Sequence, residues 1–302
     1  MAQSNQSDFK IYHDQVQAGF IETLMQNSDA FNAASSGAIM LQTMQSRGDY
    51  MQRAFYKSIS SLVSRRDHTD DGSTPATALK LEQDEEISVR LQRKVGPVDV
   101  TRNAMRSIGE NPQRASFIIG TQAAKGAQVT MVNAGLLAAV TALGNTAAVT
   151  HDTWTGSPSA GMSTAALING LSKAGDSQQG VVLWVMHSSK FFELMAAQAA
   201  TPATDNVAGF VIANGNVLTL GRPTLVIDSP SLLAGTSPTE SYYTLGLRQG
   251  AVELLLTTAM DMATTTVLGN EQLTERIQGE FDFKLGVDGF KWDTTADRKS
   301  VV

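Results

Sequence analysis

The stretch NPQRASFIIGTQAAKGAQVTMVNAGLLAAVTAL, Asn111 to Leu143, decides how the chain is read. Asparagine caps a helix start, and the proline behind it is tolerated at the first helical position. Ile118, Val129, Val132, Leu136, Val140 and Leu143 recur mostly at three- and four-residue steps, which lines an apolar stripe along one side of a helix. Unbroken, such a helix is on the order of 50 Å long at about 1.5 Å per residue. It serves either as the core helix of an ordinary α/β domain or as a spine that other elements cross. Gly120, Gly126 and Gly135 fall inside it, each costing about 1 kcal/mol against alanine in a helix interior. They mark close packing by crossing elements, or points at which the spine bends.

Upstream, Asp8 to Asn27 predicts an amphipathic helix with Phe9, Tyr12, Val16, Phe20 and Leu24 in register. Ser35 and Ser36 can cap a second, longer helix with Met40, Met44, Met51, Phe55, Ile59 and Leu62 on its apolar face and Arg47, Arg53 and Lys57 off it. The two form an extended arm or a packed helical hairpin. DHTDDGSTP, Asp67 to Pro75, is a break rich in turn formers. Beyond it Leu79 and Leu81 alternate with Lys80 and Glu82. After an acidic tip at Asp84, Glu85 and Glu86, Ile87, Val89, Leu91 and Val95 alternate with Ser88, Arg90 and Gln92. The pattern predicts a two-stranded hairpin ending at Gly96-Pro97. A ribbon this polar is marginal alone and needs support from its own domain or from a neighbouring subunit.

Downstream the pattern is α+β with short elements. The expectations are a strand over Ala147 to Asp152, a loop over Thr153 to Gly161, a helix capped by Ser163, and a buried strand VVLWVM at Val181 to Met186. A helix follows with Phe191, Leu194 and Met195 inward, then a loop from Thr201 to Asn206. Val217 to Leu220 and Thr224 to Asp228 read as strands. Tyr242 to Leu247 and Ala251 to Thr257 read as a strand pair joined at Arg248-Gln249-Gly250. Ile277, Phe281, Phe283, Leu285 and Val287 then alternate with charged residues up to a turn at Asp288-Gly289.

The chain has 302 residues, 42% of them hydrophobic, enough to build a core. No cysteine is present, which excludes disulfides, thiol catalysis and thiolate metal sites. There is no basic and apolar leader at the N-terminus, and no run of eighteen or more apolar residues. The net charge of −6 argues against a protein that wraps nucleic acid in its own basic surface. From Ala115 to Met260 there are only five basic and seven acidic residues. So few charges suit a surface buried against other subunits.

Residues with chemical potential do not converge. His13, His68, His151 and His187 are scattered and none belongs to an HExxH pair. His187, before Ser188 and Ser189, reads better as part of a helix-capping turn than as a catalytic base. Phosphate loops, dinucleotide fingerprints and nucleophile elbows are absent from the sequence. Arg90, Arg93, Lys94, Arg102, Arg106 and Arg114 form a basic string without interleaved aromatics, better suited to ion pairs than to base stacking. The expectation is a non-enzymatic protein with no catalytic residue, cofactor or metal.

The order of arm, charged hairpin, long helix, α+β middle and returning strands resembles the major capsid proteins of tailed bacteriophages, which share the Hong Kong 97 shell fold. Leu79 to Val95 resembles the family's extended loop, and Asn111 to Leu143 its spine helix. VVLWVMHSSKFFELM (Val181 to Met195), LGRPTLVIDSP (Leu220 to Pro230) and GEFDFKLGVDGFKWD (Gly279 to Asp293) are similar to segments of many phage coat proteins. The resemblance implies an α+β, Hong Kong 97-like capsid fold divided into an N-terminal arm (1–66), extended loop (67–107), spine helix (108–146), axial domain (147–260) and return strands of a peripheral domain (261–302). It implies self-assembly into hexamers and pentamers of an icosahedral head in the virion, formed in the host cytoplasm around double-stranded DNA bound without sequence specificity. Implied partners are other copies, a scaffolding protein, a portal and a cement protein, with no membrane.

Sixty-six residues precede the break at Asp67, so a separate scaffold is expected. Intersubunit contacts are expected at Lys80, Glu82, Asp84, Glu85, Arg90, Arg93 and Lys94. Lys80 and Lys94 are placed for the family's lysine–asparagine crosslink, but no companion carboxylate is assignable and none is predicted. Proline at Val89 is expected to block assembly while leaving the subunit folded. The competing readings are a nanocompartment shell holding cargo enzyme, and a small-molecule-binding α+β protein with a pocket between Trp154, His187 and Gly221.

Overall fold

A computed structural model describes residues 6–45, 48–57, 78–101, 112–144, 146–153, 161–198, 204–207, 210–213, 219–235, 240–268 and 274–293, with scattered positions between 59 and 72. The elements in chain order are α1 (Gln6–Ala34), β1 (Ile39–Thr43), β2 (Tyr50–Tyr56), β3 (Gln83–Thr101), α2 (Pro112–Gly144) and α3 (Thr164–Ser172). There follow β4 (Val181–Met186), α4 (Ser188–Gln198), β5 (Thr204–Val207), β6 (Phe210–Ala213), β7 (Thr224–Val226), β8 (Leu233–Ala234), β9 (Ser241–Tyr242), β10 (Leu245–Arg248), β11 (Val252–Val267) and β12 (Thr274–Val287).

The spine segment is one helix of 33 residues, as its periodicity predicts, but its buried face differs from the expected stripe. Ile118 and Val129 are exposed, while Ala124, Ala127, Met131, Val132, Leu136 and Ala139 are buried. Small residues let α2 lie close to its neighbours, so the tightest contacts fall where side chains are shortest. A Cβ at Gly120 would stand 2.1 Å from the Val16 carbonyl oxygen of α1, and one at Gly135 would stand 2.9 Å from Val252 Cγ1 of β11. Close packing therefore accounts for both glycines. Gly126 is exposed with nothing within 4 Å of an added Cβ, so packing does not account for it.

The main sheet has the order β1-β11-β12-β3-β2. Its core face presents Ile39, Leu41, Val89, Leu91, Leu254, Leu256, Phe283 and Leu285, which join Val16, Phe20, Leu24 and Phe31 of α1 and the buried face of α2 in one cluster. A second sheet, β10-β4-β7-β6-β5, carries α3 and α4. Around it Leu167, Leu171, Trp184, Met186, Phe191 and Leu194 make a separate cluster. Ser163 caps α3 as expected, its Oγ accepting from Ala166 N at 3.3 Å. Ala147–Val149 is a single 3-10 turn instead of a strand.

Further sequence expectations are corrected. The second helix does not form: Ile39–Thr43 and Tyr50–Tyr56 make β1 and β2. Ser36 (φ 53°) and Gly37 (φ 67°) are left-handed and end α1, and Gly48 (φ 87°) separates the two strands. Met40, Met51 and Phe55, which simulate a helical stripe, become strand positions and Met44 follows the end of β1; Met44 and Phe55 are exposed. The hairpin tip at Asp84-Glu86 is also absent. Gln83–Thr101 is one continuous strand whose partners are β2 and β12, so the true ribbon joins β2 to β3. Finally, β10 and β11 do not pair with each other. β10 pairs with β4 and β11 with β1 and β12, so the turn at Gly250 (φ 71°) is where the chain passes from one sheet to the other.

Candidate assembly surface

The β2–β3 ribbon runs in regular antiparallel register from Tyr50 opposite Val89 to Tyr56 opposite Gln83, with no bulge. The Arg90 N–H donates to the Asp49 carbonyl at 2.8 Å and Lys57 N–H to the Glu82 carbonyl at 2.9 Å, bracketing the ladder. The seven expected contact residues separate into two groups along β3 and the segment before it. Lys80, Glu82 and Glu85 are exposed at the outer end. Lys80, Leu81, Glu82 and Gln83 line, with Tyr56, an open cleft of about 480 Å³. Asp84 accepts the Glu85 N–H at 2.9 Å and pairs with Lys57 Nζ at 3.1 Å, and these contacts hold its carboxyl below the usual range. Farther along, Arg90 is engaged within the chain by Asp282, Arg93 lies 6.0 Å above the Phe283 ring centroid, and Lys94 is exposed opposite Glu280. Arg102 and Arg106 lie outside the described residues.

On the polar face of the main sheet, Arg53 of β2 reaches across β3 and β12 to Glu253 of β11, with Nη1–Oε1 2.9 Å and Nη2–Oε2 2.7 Å. Gly286, the β12 partner of Glu253, keeps the path low: a Cβ there would meet Ser88 Cβ at 3.1 Å and Glu86 Oε1 at 3.5 Å. Glu86 is 9% exposed beside this pair. Burial pushes its pKa up, Arg53 opposes that, and Asp288 and Glu253 add to it. Lys284 is 1% exposed, and burial, aided by Arg90, lowers its pKa against the attraction of Asp49.

The two edges of this sheet are finished differently. At β1, the Asn32 side chain of α1 donates to the Leu41 carbonyl at 2.7 Å and accepts the Leu41 N–H at 2.8 Å. Ser35 Oγ donates to the Ile39 carbonyl at 3.3 Å. At β2, residues Gln52 to Tyr56 are all exposed. Sequence reasoning missed both edges, because it placed this segment in a helix. The usable signal was Gly48 followed by the aromatic-flanked run Tyr50–Tyr56, a composition that favours strands.

In the second lobe His187 occupies the capping turn expected for it. Its Nδ1 accepts the Ser189 N–H at 3.2 Å, its Nε2 lies 3.5 Å from Asp228 Oδ1, and its ring sits 5.0 Å from that of Tyr242. Asp228 also accepts the Ser188 N–H at 3.3 Å; its bonds with Ser188, the side-chain one foremost, hold its carboxyl below the usual range. Arg222 donates to the carbonyls of Val181 (2.7 Å) and Gln178 (3.1 Å), tying the Gly221-Arg222-Pro223 step to the start of β4. Trp154 lies outside the described residues. No group of three or more His, Asp or Glu side chains suited to a metal ion occurs among the described residues.

The chain combines two five-stranded sheets, a two-stranded one, a long helix and a charge-poor body. The family described as Gp13-like, "Major capsid protein 13-like", matches residues 8–300. The chain belongs to this major capsid protein family. Its fold is similar to that of a chain from Mycobacterium phage Adephagia, with 11% identity, 84% of this chain and 83% of that one covered, and a TM-score of 0.51. A chain from Mycobacterium phage Cain matches at 11% identity, 84% and 83% coverage and a TM-score of 0.50. A virus-like particle protein from Pyrococcus furiosus aligns over 91% of this chain and 93% of its own at 8% identity, with a TM-score of 0.45, too distant to carry an argument. None of the curated proteins matches the chain. The major capsid protein is thus a bacteriophage virion protein of mixed α+β fold that forms a shell by self-assembly.

Proposed function

We propose that this major capsid protein forms the hexamers and pentamers of an icosahedral head with the Hong Kong 97-type domain plan, enclosing double-stranded DNA. The observation that carries the reading is the family match over residues 8–300. In this reading α1 is part of the N-terminal arm, α2 is the spine of the peripheral domain, and the β2–β3 ribbon with its connection is the extended loop. The axial domain is the segment 147–260 without its last strand, since β11 enters the main sheet.

The charges support a container that holds DNA without gripping it. Arg53, Lys57, Arg90, Lys190 and Arg276 each pair with a carboxylate of the same chain, and a net charge of −6 leaves no overall excess of cations for phosphate. A scaffolding protein, a portal and a cement protein are the further partners proposed, with assembly in the host cytoplasm.

The test is sedimentation and electron microscopy of the protein expressed with its phage's head genes. Closed, DNA-filled particles with hexamers and pentamers are expected. A stable 32.2 kDa monomer under all assembly conditions would remove the proposal.

A further inference from the structure

We propose that Glu86 is a proton-operated release for the strap that Arg53 and Glu253 draw across the polar face of the main sheet. Two carboxylates compete for Arg53. Glu86 stands directly opposite it on β3, whereas Glu253 lies beyond β12 on β11. Unlike charges placed directly opposite each other on neighbouring strands ordinarily pair. Arg53 instead passes its neighbour and closes a two-bond fork on Glu253. Glu86 is left 9% exposed, and none of the described residues donates a hydrogen bond to its carboxyl.

A buried carboxyl without a donor is tolerated with its proton on and costly with its proton off. The charges around Glu86 come from each element beside it. Arg53 of β2 favours the ionised form, while Asp288, in the turn after β12, and Glu253 of β11 oppose it. Gly286 of β12 brings no charge, and Lys291 of the returning tail acts on Asp84. Three carboxylates thus surround one guanidinium. With Glu86 protonated, Arg53 is free to close on Glu253, which is the arrangement in this structure. Once Glu86 ionises, a buried charge stands unpaired directly opposite Arg53, and the guanidinium satisfies it by turning back across β12 to β3.

The strap matters because β2 is an edge strand with β3 as its neighbour in the sheet. Arg53 gives it a second hold, on a strand further in and 200 residues away in sequence. Release takes that hold away and leaves the β2–β3 ladder intact. The edge strand is therefore held most firmly in acid, and less firmly as pH rises through the raised value of Glu86. This device goes beyond the shell-forming reading and does not depend on it.

A double-mutant cycle between Arg53→Ala and Glu253→Gln, read by chemical denaturation of the full chain, tests it. The cycle is run at about pH 5 and about pH 8, which bracket a carboxyl raised by partial burial. In acid the pair should be coupled by about threefold in the folding equilibrium, as suits a half-exposed ion pair. At the higher pH the coupling should fall to about onefold. In a Glu86→Gln background it should keep its acid value at both, since glutamine has the shape of the acid without its charge. Equal coupling at the two pH values in the unmodified chain would overturn the proposal. A pH dependence that survives Glu86→Gln would overturn it too, as would the absence of coupling in acid.

Discussion

Leu41 of β1 and Ala54 of β2 sit on opposite edges of one sheet and meet opposite conditions. Both backbone groups of Leu41 are taken by Asn32, a residue of the arm helix, whereas those of Ala54 face outward and are bonded by none of the described residues. The closed edge depends on α1 being seated correctly, because Asn32 stands near the end of that helix. The open edge depends on the polar face, where Arg53 crosses to Glu253. One sheet can thus be sealed from within on one side and left available on the other, and each side can be perturbed separately.

The largest effect is expected from Gly120→Ala. Its Cβ would fall 2.1 Å from a backbone oxygen of α1, so the arm helix must move and carry Asn32 off the β1 edge. A loss of about 3 kcal/mol is expected, the upper end for overpacking, read as a lower midpoint in chemical denaturation. Asn32→Ala attacks the same edge directly and leaves two Leu41 groups unpaired, which should cost about 1–3 kcal/mol. Aggregation of the isolated subunit should rise with it, and unchanged stability would mean that water replaces the amide without loss.

At the base of the open edge, Glu86→Gln should stabilise the subunit by about 1 kcal/mol at neutral pH. The sign follows from the direction of the shift. The pKa of Glu86 is raised in the folded chain, so its contribution is full below the ordinary glutamate value of 4.5 and is lost as pH rises through the raised value. The advantage of glutamine should therefore vanish in acid, which denaturation at two pH values would show. Arg53→Ala should cost about 0.5–1 kcal/mol, since the pair is half exposed and screened. Gly126→Ala should gain about 0.5–1 kcal/mol, for nothing lies within 4 Å of the new methyl group. If shell assembly is nevertheless impaired, a bend of the spine at Gly126 is supported; normal assembly would count against it.

The sequence made legible those parts of the molecule whose pattern is local. The spine helix was bounded to within about a residue at each end, β4 matched its apolar run, and β12 followed its alternation. What escaped depends on distant partners. Met40, Met44, Met51 and Phe55 satisfy helical spacing, but the left-handed Ser36 and Gly37, the pairing of β1 with β11 and that of β2 with β3 place Met40, Met51 and Phe55 in strands. The acidic residues Asp84 to Glu86 look like a turn because turns and exposed strand ends share a polar composition. The exposed Ile118 and Val129 were misassigned because branched residues dominate any periodicity count, while alanine and glycine make the closest contacts. For the same reason Val89 does not suit a test of assembly: it is 1% exposed in a central strand, and proline there would dismantle the sheet. Of the candidate contact residues, the sequence located the ribbon's outer end but not the open edge beside it.

The strand order also sets a timetable for the ribosome. β1 pairs with β11, and β3 with β12; the Arg53–Glu253 and Arg90–Asp282 bonds span 200 and 192 residues. A nascent chain that has delivered the arm, the ribbon and the spine still lacks the two strands at the centre of its main sheet. Translation must reach Val287 before that sheet can close. A chain broken off early thus has no closed main sheet to offer a growing shell, and truncated products are barred from the particle by topology alone.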